Sequence, residues 1–251
     1  MTLIGDIFRV ALPDMYYLRR NILVLLATSI VTPLLYLVAF GYGLGNGITM
    51  DADGKTFEYI AYMVPGVVAL TTVTSSFTTV SNKLMIQKRF YESFDEMLLC
   101  PITKTSLVLG KSVLGIVKSA LCGSIMLVLG SCLSGDMHIT AGLIGCMLLS
   151  CMTFSLLGVA AGMIIPDLPS MNLFNSFVIL PMTFLCGTMF SIDSLPDTAA
   201  DIIWCLPLTH TSECLRACAL GLDFPWVSLA VLIAYAVAFY LLGMFALRKS
   251  E

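Results

Sequence analysis

Three stretches of this chain carry residues typed and spaced for chemistry, and none makes a catalytic site. Gly110-Lys111-Ser112 ends as a phosphate-binding loop does, in which backbone N–H groups and a lysine cradle phosphates. That loop needs a glycine five residues earlier, where Thr105 stands, and no strand-forming run precedes it. The chain is not expected to bind ATP, Mg or any other cofactor itself. Its only histidines, His138 and His210, lie far apart with no carboxylate at ligand spacing, so no metal site is expected. Gly-x-Ser-x-Gly, His-Glu-x-x-His and paired intramembrane aspartates are missing, so no enzymatic chemistry is expected.

The second stretch is a run of hydroxyls: Thr71, Thr72, Thr74, Ser75, Ser76, Thr78, Thr79 and Ser81. In a helix each can bond its own backbone and let neighbours pack closely. One face can equally line a polar path for a substrate, with Thr71, Thr72, Thr74, Ser75, Thr78 and Thr79 as candidates. These residues cannot all face one way, so both readings hold in part. The third stretch runs from Lys88 through Glu92, Ser93, Phe94, Asp95, Glu96, Met97 and Leu98 to Pro101. Ser93 and Glu96 form a capping box, Asp95 favours the positive helix end, and Pro101 stops the short helix. Phe94, Met97 and Leu98 make an apolar ridge that either pads a bilayer surface or plugs into a groove on a partner.

The elements that hold these stretches are set by composition. Of 251 residues, 58% are apolar and 12% charged, about half the charged share of soluble domains. Mean hydropathy is +0.95. A soluble enzyme lacks its polar shell here, and disorder is excluded. With 13 Lys and Arg against 16 Asp and Glu, a nucleic-acid partner is excluded too. The partner is the lipid bilayer. Long apolar runs at 22–44, 59–80, 114–133, 139–165, 168–192 and 224–247 are each sufficient to cross the ~30 Å hydrocarbon layer as a helix. The fold expected is therefore an all-α integral membrane protein of six spans and a single domain over residues 1–251.

Lys and Arg set the direction. With both termini cytoplasmic, Arg9, Arg19, Arg20, Lys83, Lys88, Arg89, Lys104, Lys111, Lys118, Arg248 and Lys249 fall inside, and only Lys55 and Arg216 outside. Asp193, Asp197 and Asp201 fall on the outer side. Residues 1–21 read as an interfacial helix: Leu3, Ile4, Ile7, Phe8, Ala11, Leu12, Met15 and Tyr16 share a face, and Asp6, Arg9 and Asp14 the other. Pro13 should kink or restart it. The outer stretch 191–223, with Pro196 and Pro207, reads as two short helices dipping into the outer leaflet. Gly142, Gly145, Gly158 and Gly162 suit close helix contacts or a hinge. Five cysteines lie in or beside apolar runs as packing residues (Cys122, Cys132, Cys146, Cys151, Cys186); a bridge among Cys205, Cys214 and Cys218 is left open. Lys118, near the start of its span, is expected to snorkel to the interface. Apart from it the spans carry no charge, where ion-coupled carriers keep relays despite a cost of ~2.5–3.5 kcal/mol each. Uphill transport would then draw its energy from another subunit.

The segment Glu92–Pro101, followed by Leu109-Gly110-Lys111, resembles the signature after the second span of the type-2 ABC exporter permeases. Leu180-Pro181-Met182-Thr183-Phe184-Leu185-Cys186-Gly187-Thr188-Met189-Phe190 is similar to that family's fifth span. Leu195-Pro196, Pro207-Leu208-Thr209-His210, Leu215-Arg216 and Gly221 match further along. Within the family, the wording is most like the drug and nodulation lipo-oligosaccharide exporters. The resemblance implies a multi-pass permease of a prokaryotic plasma membrane, working as a dimer, most simply a homodimer with a second permease chain. Two copies of a cytoplasmic ABC ATP-binding subunit, holding ATP and Mg, would dock beneath it. Residues Glu92–Leu98 would be the coupling helix. The external region with Pro196, Pro207, His210 and Arg216 would form re-entrant helices roofing the exit. The substrate would be an amphiphile: a drug, a lipid or a lipid-linked saccharide. Rival readings are a secondary carrier or channel acting without an ATPase, and a membrane scaffold that transports nothing.

Overall fold

Helix α1 (Leu3–Arg20) leads into α2 (Ile22–Tyr36), which a π-helical stretch continues over Leu37–Tyr42. A hairpin of β1 (Thr49–Ala52) and β2 (Lys55–Glu58) precedes α3 (Tyr59–Arg89), α4 (Ser93–Leu98), α5 (Lys104–Leu133) and α6 (Ala141–Ile164). Then come α7 (Leu168–Leu185), with a π stretch at Asn175–Ile179, α8 (Pro207–Leu220) and α9 (Trp226–Lys249). This computed structural model describes residues 3–42, 49–52, 55–91, 93–133, 137, 139–185, 201 and 203–249. Pro196, Cys186 and Glu92, like the side chains of Ser93 and Asp95, lie outside the described residues. The expected capping box therefore has no described geometry.

Six helices, α2, α3, α5, α6, α7 and α9, are long and apolar enough to cross a membrane, the number expected from hydropathy. The chain is mostly helical, as expected, and adds one hairpin, whose strands pair antiparallel with Thr49 opposite Glu58 and Ala52 opposite Lys55. Its sequence signal was Asp53-Gly54 between the strands, a dipeptide favoured in two-residue hairpin turns. Two spans also run further than their apolar cores. At 1.5 Å per residue, α3 and α5 are each about 45 Å long, some 15 Å more than the hydrocarbon layer. Both overshoot at the end that holds α4, so residues Lys83–Arg89 and Lys104–Lys111 are helical rather than loop.

α3 is the central post: 89% of its apolar window is buried, against 11% for α2. It packs on α5 and α6, and α9 lies on α6. The α3–α6 contact is close because α6 lacks side chains there. A Cβ on Gly158 would sit 3.1 Å from the Phe77 carbonyl oxygen, and one on Gly162 would sit 3.2 Å from the Leu84 Cβ. These are packing glycines; Gly145 has no neighbour within 4 Å and does not share that role. Both π stretches adjoin a proline. Pro33 precedes the first, and Pro181 follows the second, where its ring would crowd the carbonyl of Phe177 in a regular helix.

α1 is one helix through Pro13, with no restart there, and of its polar face both aspartates turn inward while Arg9 stays exposed. Asp6, Val10, Ala11, Asp14 and Leu18 are buried, while Leu3, Ile4, Phe8, Leu12 and Tyr16 are exposed. A helix that meets lipid on its outer side has no reason to hide apolar groups, whereas its carboxylates need partners that only protein supplies. Gly110 of α5 lets α1 approach: a Cβ there would meet Val10 Cβ at 2.7 Å and the Ile7 carbonyl oxygen at 3.1 Å.

α8 begins with Pro207 in its first turn, where a missing N–H is harmless. It ends at Gly221, whose φ of +63° lies in the left-handed region. No atom lies within 4 Å of a Cβ built there. The expected cost of Gly221→Ala is therefore conformational only, about 1 kcal/mol, read as a small drop in thermal stability without loss of helix packing.

Candidate functional site

At the end where α3 and α5 overshoot, α4 is fastened by one side chain. Phe94 is 1% exposed and sits in a cluster with Val10, Leu84, Leu107, Val108, Val159, Met163 and Leu247. That cluster joins α1, α3, α5, α6 and α9. Met97 and Leu98 are half-buried against it. The apolar ridge expected to face a partner or the bilayer thus faces the protein instead, because a six-residue helix cannot stay folded unless packing holds it. What α4 and its flanks present outward is Phe90, Tyr91, Glu96, Cys100 and Leu99, the last 88% exposed.

Beside α4 lies a buried ionic network that the sequence reading missed. Asp14 of α1 is 1% exposed. Its carboxylate pairs with Lys83 Nζ at 3.1 Å and Lys111 Nζ at 3.3 Å. Gln87 Nε2 donates to Asp14 Oδ1 at 3.1 Å, and Lys111 Nζ donates to Gln87 Oε1 at 2.8 Å. Lys83 also stands 3.8 Å over the Tyr17 ring. The network ties α1 to α3 and α5. It gives Gly110-Lys111 a role unrelated to phosphate loops, since one residue admits α1 and the next binds its carboxylate. Lys83 and Gln87 lie four residues apart, on one face of α3, but nothing in that spacing names Asp14 as their partner.

Lys118 is corrected likewise. It is 4% exposed and does not reach a surface. Its Nζ donates to Thr79 Oγ1 at 2.8 Å, while Thr79 donates its own proton to the Ser75 carbonyl at 2.6 Å. A cavity of about 480 Å³ lies beside it, lined by Tyr17, Leu25, Thr78, Asn82, Lys83 and Gln87 among others.

The hydroxyl run divides in two. Thr71, Thr72, Ser75 and Ser76 are buried. Thr71 donates to the Val67 carbonyl, Thr72 shares a 2.8 Å hydrogen bond with Ser150 of α6, and Ser75 donates to Cys122 Sγ. Thr74, Thr78 and Thr79 are half-buried on another side. Thr74, Ser75 and Thr78 line a second cavity of about 260 Å³ with Thr28, Ser29 and Thr32 of α2 and Asn175 and Thr183 of α7. Thr78 belongs to both cavities. Thr74, Ser75 and Thr78 therefore combine packing or backbone bonding with a cavity wall, whereas Thr71 and Thr72 line neither cavity.

At the other end of the bundle, α8 holds the remaining candidates. His210 is fully buried, edge-on to Trp204 at 5.1 Å, and its ring nitrogens have no hydrogen-bond partner among the described residues. Its Nδ1 is 4.0 Å from Glu213, which accepts from Ser228 Oγ at 2.6 Å. Arg216 stacks 3.8 Å over Tyr62 and donates to the Tyr62 carbonyl, tying α8 to α3. Cys205, Cys214 and Cys218 are free thiols.

The profile of the ABC-2 type transporter family matches residues 15–220, from the end of α1 to the end of α8. This chain belongs to that family. The ABC-2 permease is 25% identical over 220 residues to the inner membrane transport permease YadH of Escherichia coli K12, covering 86% of this chain and 84% of that one. It is 27% identical over 223 residues to nodulation protein J of Bradyrhizobium diazoefficiens, covering 87% and 84%. The same protein of Rhizobium meliloti is 27% identical over 224 residues, covering 88% and 84%. The permease is accordingly a membrane protein with several transmembrane helices, and its work is transport. Of these relatives, the one from Escherichia coli is named as a transport permease.

Proposed function

We propose that this permease is the transmembrane subunit of an ATP-driven exporter, with both termini and α4 on the cytoplasmic side of a bacterial inner membrane. Two copies pair, and two cytoplasmic ATP-binding subunits holding ATP and Mg dock beneath them. An amphiphile leaves the cytoplasm or inner leaflet along a path that includes the half-buried hydroxyl face of α3. α8 and the residues before it dip into the outer leaflet and roof the exit.

The observation that carries this reading is the seating of α4. Phe94 joins a short helix to five elements through one hydrophobic cluster, so a push on the helix is delivered to α3, α5, α6 and α9 together. The exposed Glu96, Leu99, Phe90 and Tyr91 supply the surface on which an ATPase can push. The predominance of Lys and Arg at the α4 side supports the orientation. A relative named as an inner membrane transport permease supports the location and the transport role.

Reversing the charge on that helix tests it. Asp95→Lys together with Glu96→Lys is expected to leave insertion and protein level unchanged and to uncouple export from ATP hydrolysis. The measurement is ATP-dependent efflux from membrane vesicles, with co-purification of a stoichiometric ATP-binding subunit from the native cell. Normal efflux in the double variant, or repeated purification without an ATPase, overturns the proposal.

One observation favours a carrier that works alone. Asp14 is a buried carboxylate between two lysines, a group that a proton-coupled carrier uses as a relay. That reading requires transport by the permease alone in ATP-free proteoliposomes, driven by a proton gradient and lost in Asp14→Asn.

A further inference from the structure

The cavity beside α4 is electrostatically unfinished. Three lysines surround its inner wall: Lys83 and Lys118 line it, and Lys111 lies behind Gln87. Among the described residues a single carboxylate, Asp14, lies against them, and it serves Lys83 and Lys111 at once. Three positive charges against one negative leave two uncompensated. Lys118 is the most isolated. Among the described residues its one hydrogen-bond partner is the Thr79 hydroxyl, which takes one of the three ammonium hydrogens. Charges removed from water are ordinarily paired, and an ammonium ion at 4% exposure without a carboxylate marks the place of an anion.

The remaining wall matches an amphiphile. Asn82, Gln87 and Thr78 supply amide and hydroxyl groups next to the lysines, while Leu25, Ile86, Tyr17 and Tyr91 supply apolar and aromatic surface. A volume of about 480 Å³ holds a headgroup and the first part of a chain. Thr78 connects this cavity with the uncharged, hydroxyl-lined one between α2, α3 and α7. We infer that Lys118, with Lys83, binds the phosphate-bearing headgroup of an anionic amphiphile at the entrance to the transport path. A phosphate monoester is close to doubly charged at neutral pH, which matches the two positive charges left over. The inference rests on the export reading only for where the ligand goes next; binding itself needs no ATPase.

Phosphatidic acid is the probe, with zwitterionic phosphatidylcholine as control, added to the purified permease in detergent and read as retained adducts by native mass spectrometry. The wild type is expected to keep phosphatidic acid in preference to phosphatidylcholine. Lys118→Met should weaken that binding by roughly thirtyfold or more, the low end for removing one member of a buried charge pair. Lys118→Arg should restore most of it, and phosphatidylcholine adducts should not change. Because Met removes an unpaired buried charge, the variant should unfold no earlier than the wild type without lipid, and only the wild type should gain in Tm when phosphatidic acid is added. Equal binding by wild type and Lys118→Met overturns the site. If Lys118→Met is not recovered folded, the wild type decides: acylation of Lys118, followed by peptide mapping, should be slowed by phosphatidic acid and not by phosphatidylcholine, and equal rates overturn the site.

With the ATPase partner reconstituted, a transported headgroup is released during ATP turnover, whereas a resident phospholipid stays. Either result supports the site. Failure of the export reading would appear in this arm alone, as an absence of ATP-dependent change in binding or efflux.

Discussion

Phe94→Ala is expected to yield a permease that reaches the membrane and packs its spans, yet loses ATP-dependent export almost completely. Truncating a fully buried Phe costs about 3–5 kcal/mol, and here the loss falls on a helix of six residues that has almost no stability alone. The helix should therefore detach while α3, α5 and α6 remain joined through Val80, Leu84, Leu107, Val108, Leu156 and Val159. Hydrogen exchange should rise sharply over residues Ser93–Leu98 and little elsewhere. The ATP-binding subunit should still hydrolyse ATP, with no stimulation by substrate. Phe94→Leu, which refills most of the volume, should recover much of the export. Leu99→Ala gives the contrast: its side chain is exposed, so α4 should stay protected while capture of the ATPase weakens. Normal export by Phe94→Ala would show that α4 does not transmit force through this seat.

Asp14→Asn should be strongly destabilising. The carboxylate is shared by Lys83 and Lys111, and removing one partner of a buried ion pair costs about 3–5 kcal/mol because the other charge is stranded. For a chain of this size that corresponds to a fall in Tm on the order of 10 °C. Asp14→Asn combined with Lys111→Met should recover part of the loss, since one stranded cation is gone, and the double-mutant cycle measures the coupling. Unchanged Tm in Asp14→Asn would mean that the network contributes nothing to holding α1. Export should fall with stability in both variants, because α1 seats beside Phe94 through Val10.

The span count was legible because lipid imposes long uninterrupted apolar runs, and α2, α3, α5, α6, α7 and α9 coincide with them. The family was legible from Phe94, Glu96, Pro101 and Gly110-Lys111 in their order, and the profile match agrees. Gly158 and Gly162 were correctly read as sites of close approach. Other features were hidden for physical reasons. Which way an amphipathic helix faces depends on the solvent outside it, so the pattern of α1 could not orient it. The same ambiguity turned Phe94 the wrong way: an apolar residue on a short helix fits a partner's groove or the chain's own core equally well. Hydropathy stops at the first lysine, so the helical extensions of α3 and α5 read as loop. The Asp14 network joins residues that are distant in sequence, and nothing local in Lys83 or Lys111 announces a partner at position 14. The division of the hydroxyl run, with Thr71 and Thr72 in the core and Thr74 and Thr78 beside a cavity, follows from the rotation of α3, which composition does not specify.

The inward-facing polar side of α1 also bears on the order in which the chain is assembled. Residue 14 leaves the ribosome before either lysine that neutralises it, and Lys111 arrives only with α5. Until α3 emerges Asp14 has neither lysine, and until α5 emerges it has only Lys83. α1 thus precedes α3 and α5 in the chain but cannot complete its seat before α5 is made. Its docking then closes the α4 end of the bundle behind the spans that have already inserted.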